Sequence, residues 1–456
     1  MAAGRLTIQE NRTQIESQYC RRTPCSKSLY EAALKRLPGG DTRTVTYFAP
    51  YPLFMDRGEG CRLTDVDGNQ YLDFVNNYTS LIHGHVHPKI TQAVYRQLSK
   101  GTTFATPLEI QIQFAEALCA RVPSLDQVRF CNSGTEATMS AIRAAKAFTG
   151  RNKIIKIEGG YHGSHEAAEI SVAPPLDEAG LPDAPYSVAC SPGLFQGVVA
   201  DVVVAPFNNI EATSRIIERH RNDLATVIVE PMMGSAGMIP AEPHYLQSLR
   251  EATTSCGALL IFDEVISFRL AFGGAQEIYG IRPDLTAMGK IIGGGFPIGA
   301  FGGRADVMSQ FDPRQGKLHH SGTFNGNAVT MAAGLMALQL LTRAEIERIN
   351  HLGDQLRDRL RNAITVSGIE GQVTGIGSLS QIHFTAEQVR DYRSAARSAK
   401  DLMPLLHLAL LNRGIFAVPR GEWVVSTPMG VAEIDAGVHS FRLALDELKG
   451  CVPAKN

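Results

Sequence analysis

One lysine in this sequence stands alone among apolar and glycine residues, in Met288-Gly289-Lys290-Ile291-Ile292-Gly293-Gly294-Gly295. Desolvation lowers an amine's pKa, and a neutral amine is the form that attacks a carbonyl carbon or enters a Schiff base. A nucleotide-binding P-loop is excluded here, because its first glycine would fall at Asp284 and the glycines follow the lysine instead of preceding it. Upstream, the apolar run Leu259-Leu260-Ile261-Phe262 ends in Asp263-Glu264-Val265. Only one of two adjacent carboxylates can point from a strand end into a site. A buried carboxylate needs a cation, which a protonated pyridine nitrogen or a structural arginine supplies equally well.

Three further clusters have the same character. Asn132-Ser133-Gly134-Thr135-Glu136 opens an alanine-rich helix, where free N–H groups and the positive end of the helix dipole favour an anion. Ordinary N-capping by Ser133 or Thr135 explains the same residues. In Gly159-Gly160-Tyr161-His162-Gly163 the glycines allow a sharp turn and let an aromatic ring lie over a flat ligand. The loop His320-Ser321-Gly322-Thr323-Phe324-Asn325-Gly326-Asn327 offers another phosphate donor. Three histidines in His83-Gly84-His85-Val86-His87-Pro88 read as a structural loop, since no flanking carboxylate supports a metal.

The elements that must position these residues are legible as alternation. Lys153 to Ile157, Val202 to Ala205, Val227 to Val229, Leu259 to Phe262 and Ile298 to Phe301 are short apolar strands. Between them Glu136 to Phe148, Ile210 to His220 and Tyr245 to Cys256 carry apolar residues at helical spacing. Strands without polar alternation, separated by helices, predict an α/β fold with a mostly parallel sheet covered on both faces. Ligands of such sheets sit beyond the carboxyl ends of the strands. Residues 61–74 read as two strands joined by an Asp-Gly turn. Met331 to Leu341 and Ala344 to Thr365 are helical, followed by a mixed α/β tail. The expected organisation is a polar, unpatterned arm at 1–30, one part of a small domain at 31–80, a large domain at 81–329, and the rest of the small domain at 330–456.

Composition removes other classes. The 456 residues are 44% hydrophobic and 20% charged, enough for a large core. With 44 basic and 45 acidic residues the net charge is −1, without the basic excess that nucleic-acid binding needs. No apolar run is long enough to span a bilayer, and no apolar segment follows the N-terminal charges. Eight scattered cysteines without a CxxC pair predict free thiols in a reducing, cytoplasmic setting, and no metal site.

The order of the clusters is specific where each alone is weak. A phosphate cup, an aromatic residue, a strand-end aspartate, and a lysine 27 residues after it resemble fold-type I pyridoxal-phosphate enzymes, and among them the class III aminotransferases. Phe262-Asp263-Glu264-Val265, Pro283-Asp284-Leu285-Thr286 and the Gly289 to Gly295 string carry the likeness, which covers about residues 30–450. Gly273-Gly274-Ala275-Gln276 and Ala300-Phe301-Gly302-Gly303-Arg304 resemble the branch holding glutamate-1-semialdehyde aminomutase and the β-amino-acid (β-phenylalanine) aminotransferases.

The resemblance implies pyridoxal 5′-phosphate as cofactor, Lys290 as the Schiff-base lysine and proton shuttle, and Asp263 as the partner of the ring nitrogen. It also implies a phosphate cup of Ser133, Gly134 and Thr135, with Tyr161 on one ring face and Val265 on the other. His162 and Glu230 belong to the same site, and Thr323 reaches the cofactor of a second subunit, which implies a homodimer. Arg43, Tyr78 and Arg420 are the implied substrate residues, the arginines taking carboxylates of a small amino donor and a keto-acid acceptor. Gly375 to Ser380 and the tail at Phe416 to Gly421 depart from the aminomutase pattern. The expected activity is therefore transamination of a β-amino acid with 2-oxoglutarate or pyruvate. The alternatives are the aminomutase, another ω-amine transaminase, and a fold relative that has lost catalysis, against which Lys290 and Asp263 together speak.

Overall fold

The structure, a computed structural model, describes residues 8–399 and 401–449. The expectations placed on residues 1–7 and on Cys451 lie outside them. A seven-stranded sheet carries the site. Its strands are β1 (Gln127–Cys131), β2 (Lys153–Ile157), β3 (Val202–Ala205), β4 (Leu224–Val229), β5 (Leu259–Asp263), β6 (Leu285–Gly289) and β7 (Gly299–Gly303). In space they lie in the order β1-β7-β6-β5-β4-β2-β3. The pairs β6-β5, β5-β4, β4-β2 and β2-β3 are parallel. β7 runs antiparallel to both β6 and β1, so the sheet is mixed at that side.

Every residue of β4, β5, β6 and β7 is buried, which is why these strands lack polar alternation. Side chains of β5 divide between two cores. Leu259 and Ile261 pack with Ala137, Ala141 and Ala145 of helix Gly134–Thr149. Leu260 and Phe262 pack with Tyr245, Leu246 and Leu249 of helix Tyr245–Cys256.

Segments from both chain ends form further sheets. Strands Met55–Glu59, Arg62–Asp65 and Gln70–Asp73 form an antiparallel ribbon, to which Ile415–Phe416 adds in parallel. The expected hairpin is present, with Arg62 opposite Leu72 and Gly68 in its turn at φ 84°. A neighbouring sheet of Gln372–Ile376, Leu379–His383 and Glu422–Val424 is tied to the ribbon, since Val424 N–H donates to Phe74 O at 2.8 Å and Asn76 Nδ2 donates to Val424 O at 2.9 Å.

The N-terminal segment differs from the expected unpatterned arm. Ile8–Arg22 and Pro24–Ala33 are helices. Ile15 and Tyr19, one turn apart, are buried in the core, and Tyr19 Oη donates to Tyr51 O at 2.8 Å. Two apolar anchors in so polar a helix are too few to show as a periodic stripe.

A buried ion pair joins the end of the sheet to the C-terminal part. Arg393 Nε and Nη2 donate to the two oxygens of Glu158 at 2.8 and 2.9 Å, and both side chains are under 10% exposed. Arg393→Ala would leave the Glu158 carboxylate buried without its cation, costing about 3–5 kcal/mol. Denaturant unfolding should show this loss, and Glu158→Gln in the same background should recover part of it.

Candidate active site

The carboxyl ends of β1, β2, β4, β5 and β6 meet at one edge of the sheet, and the reversed β7 brings its first residue to the same edge. A cavity of about 350 Å³ opens there. Its wall takes Asn132 and Gly134 from beyond β1, Tyr161 and His162 from beyond β2, and Glu230 from beyond β4. Asp263 ends β5, Lys290 follows β6, and Pro297 and Ile298 precede β7. Residues far apart in sequence converge because parallel strands all end on one side.

Ser133 caps helix Gly134–Thr149, its Oγ accepting Glu136 N–H at 3.1 Å. Capping uses the side chain and leaves the first-turn N–H groups of the helix facing the cavity. The loop after β2 approaches this helix start closely: a Cβ on Gly163, at φ +95°, would lie 2.4 Å from Thr135 Oγ1. Thr135 Oγ1 in turn accepts Ser164 N–H at 3.2 Å.

Asp263 and Glu264 part as the strand geometry requires. Asp263 faces the cavity, its Oδ1 accepting Val265 N–H at 3.0 Å and its Oδ2 lying 2.8 Å from His162 Nδ1. Glu264 points away, accepting Gln276 N–H at 3.1 Å, Gln276 Nε2 at 3.0 Å and Ser267 Oγ at 3.1 Å. It is a structural carboxylate, and burial raises its pKa.

Lys290 sits at φ +47°, in the left-handed region that a branchless glycine would prefer. Burial lowers the pKa of its amine, while the carboxylates of Asp263, Glu230 and Glu422 oppose that shift. The result is an amine that reaches its neutral form more easily than an exposed lysine, held near three carboxyl groups.

Beside this centre lies a second group. Residues Asn76, Asn77, Tyr78 and Thr79 all have positive φ, between 48° and 72°, a left-handed turn that presents the Tyr78 ring. The Arg43 guanidinium stands 5.6 Å from the ring centroid and that of Arg420 5.9 Å. Arg43 Nη1 donates to Asn77 Oδ1 at 3.1 Å, and Tyr78 Oη donates to Val45 O at 2.7 Å. Arg420 Nη2 lies 2.9 Å from Glu422 Oε1, a carboxylate the sequence did not single out. Its only signal is a charge leading an apolar strand, Glu422-Trp423-Val424-Val425. Thr323 is exposed and stands apart from the cavity wall.

A family model for class III aminotransferases matches residues 46–441. This chain belongs to the class III aminotransferases. It is 45% identical over 395 residues to a glutamate-1-semialdehyde 2,1-aminomutase of Methanothermobacter thermautotrophicus, covering 86% of this chain and 92% of that one. It is 42% identical over 422 residues to a β-phenylalanine transaminase of Variovorax paradoxus, covering 92% of each. Among solved structures, an ω-transaminase from Sphaerobacter thermophilus is 51% identical with a TM-score of 0.89, covering 93% of this chain and 98% of that one.

The cofactor of this aminotransferase is pyridoxal 5′-phosphate, and the donor set at the cavity suits it. A helix start for a phosphate, a buried carboxylate for a ring N–H, a partly exposed tyrosine ring and a desolvated amine are all present. Among the described residues no helix is alone long and apolar enough to cross a membrane, and no cluster suits a metal ion.

Asp263→Asn removes one of the charges that hold the Lys290 pKa up, so that pKa should fall further. In cofactor-free protein, the pH profile of Lys290 modification by an amine reagent should move to lower pH. Glu264→Gln, on the opposite side of the strand, should leave that profile in place.

Proposed function

We propose that this aminotransferase moves the amino group of a β-amino acid to a keto acid such as 2-oxoglutarate or pyruvate. The observation that carries the reading is the pair of guanidinium groups flanking Tyr78 beside the cavity. A transaminase must hold two different carboxylate-bearing substrates in turn, and two cationic positions serve that need. The relative named as a β-phenylalanine transaminase supports the same choice.

Bound at the cavity, pyridoxal phosphate supplies an aldehyde that condenses with amines and a cationic ring that accepts the electron pair left by a departing proton. The protein's part is assigned as follows. Ser133, Gly134 and Thr135 hold the phosphate at the helix start. Asp263 would keep a proton on the ring nitrogen, and His162 Nδ1 holds Asp263 Oδ2 at 2.8 Å. Tyr161 covers one ring face and Val265 the other. Lys290 would take the proton from the substrate carbon that carries the amine and give it back from the same Nζ. Its lowered pKa places the amine closer to the range in which it both accepts and returns a proton. Thr323, exposed and away from this cavity, reaches the phosphate held by a second copy, so the working unit is at least a dimer. The Arg420 guanidinium takes the α-carboxylate, and Arg43 takes the distal carboxylate of a dicarboxylic acceptor.

Arg420→Ala should lower kcat/KM for carboxylate-bearing donors and acceptors by about one to two orders of magnitude, the size of a charge-assisted contact of roughly 1.5–3 kcal/mol. Amines without a carboxylate should keep their rates. Arg43→Ala should impair 2-oxoglutarate more than pyruvate. A panel of α-, β- and ω-amines against both acceptors reads these outcomes. Isomerisation of glutamate-1-semialdehyde with no keto acid, together with indifference to β-amino acids, would establish the aminomutase instead.

A further inference from the structure

Lys156 has no place in the chemistry described above, yet it is fully buried one residue before the end of β2. Among the described residues no carboxylate oxygen lies within ion-pair distance of its amine. Its Nζ donates to Gly160 O at 2.8 Å and also to Ile170 O. Burying an unpaired ammonium is expensive, and a hydrocarbon side chain in this apolar strand would cost less. Burial accordingly lowers its pKa to about 8, with Glu230 and Glu158 among the groups opposing the shift.

Glu230 completes the arrangement. Its Oε1 accepts Tyr161 N–H at 3.0 Å, and its Oε2 accepts Gly234 N–H at 3.0 Å. Gly160 C=O and Tyr161 N–H are the two ends of one peptide group. The Lys156 amine therefore sits on its oxygen and the Glu230 carboxyl group on its hydrogen, at the two ends of the peptide dipole. The segment so held contains Gly159 at φ +80°, Gly160, and Gly163 at φ +95°, the residues with most backbone freedom to lose.

We propose that Lys156 and Glu230 are positioning residues that clamp the Gly160–Tyr161 peptide group, and through it fix the Tyr161 ring and the His162–Asp263 contact. Fixing one peptide plane sets the torsions on both sides of it, so Tyr161 and His162 are aimed together. The consequence for the cofactor rests on the reading that Tyr161 covers its ring, whereas the clamp itself is a property of this chain alone.

Hydrogen–deuterium exchange of the loaded enzyme tests the clamp in Lys156→Met, Glu230→Met and the double variant. Peptides covering 158–165 should exchange about tenfold faster in either single variant, while peptides of β5 keep their protection. The double variant should be little faster than the worse single one, because both changes release the same peptide group. Multiplying effects in the double variant, or unchanged exchange in Glu230→Met alone, would overturn the proposal. If Lys156→Met does not fold, Lys156→Gln replaces it under the same criteria. Visible circular dichroism of the bound cofactor forms the second arm. Altered ellipticity in both single variants ties the clamp to the ring. Faster exchange with unaltered ellipticity keeps the clamp and refutes the assignment of Tyr161 to the ring face.

Discussion

The structure depends on keeping one amine out of water without leaving it stranded. Lys290 lies where burial disfavours its charge, and three carboxylates favour it. Neither influence is useful alone. A wholly apolar pocket would give a neutral amine with nothing to guide its proton, and an exposed lysine would stay charged. The balance requires Asp263, Glu230 and Glu422 to come near the same point from three different segments. Asp263 and Glu230 come from strand ends of the seven-stranded sheet, and Glu422 comes from the neighbouring three-stranded one.

The same economy governs the neighbours of each charged group. Asp263 is oriented by the Val265 N–H and the His162 ring, and Glu230 by the N–H groups of Tyr161 and Gly234. Glu264, the residue just after β5, is turned the other way into a separate set of donors around Gln276. Two adjacent acids thus have opposite duties because successive residues here face opposite ways. At the second group, Tyr78 is presented by four successive left-handed residues, a strained turn retained where the two guanidinium groups gather.

Much of this was legible in the sequence where composition and periodicity are strong. β2, β3 and helix Tyr245–Cys256 fall where the apolar pattern places them. β1 and β6 were not read, because Gln127–Cys131 is mixed in polarity and Leu285–Gly289 has a single β-branched residue, Thr286. The reversal of β7 is a matter of pairing, which no local pattern in Gly299–Gly303 announces. Lys290 stands out as a lone charge among apolar and glycine residues, and Asp263 as the first of two acids that end an apolar strand. Lys156 is equally anomalous within Lys153–Ile157, but its partners are backbone carbonyls, which a sequence does not display. The pairing of Arg420 with Tyr78 becomes visible only where the two chain ends meet.

The account stands on Lys290 being the amine that bonds to the cofactor. Borohydride reduction of the loaded enzyme makes that bond permanent, and peptide mapping by mass spectrometry then finds it. The account predicts a single pyridoxyl group on Lys290, with Lys156 and the surface lysines unlabelled. A label on another lysine, or none on any, would contradict it.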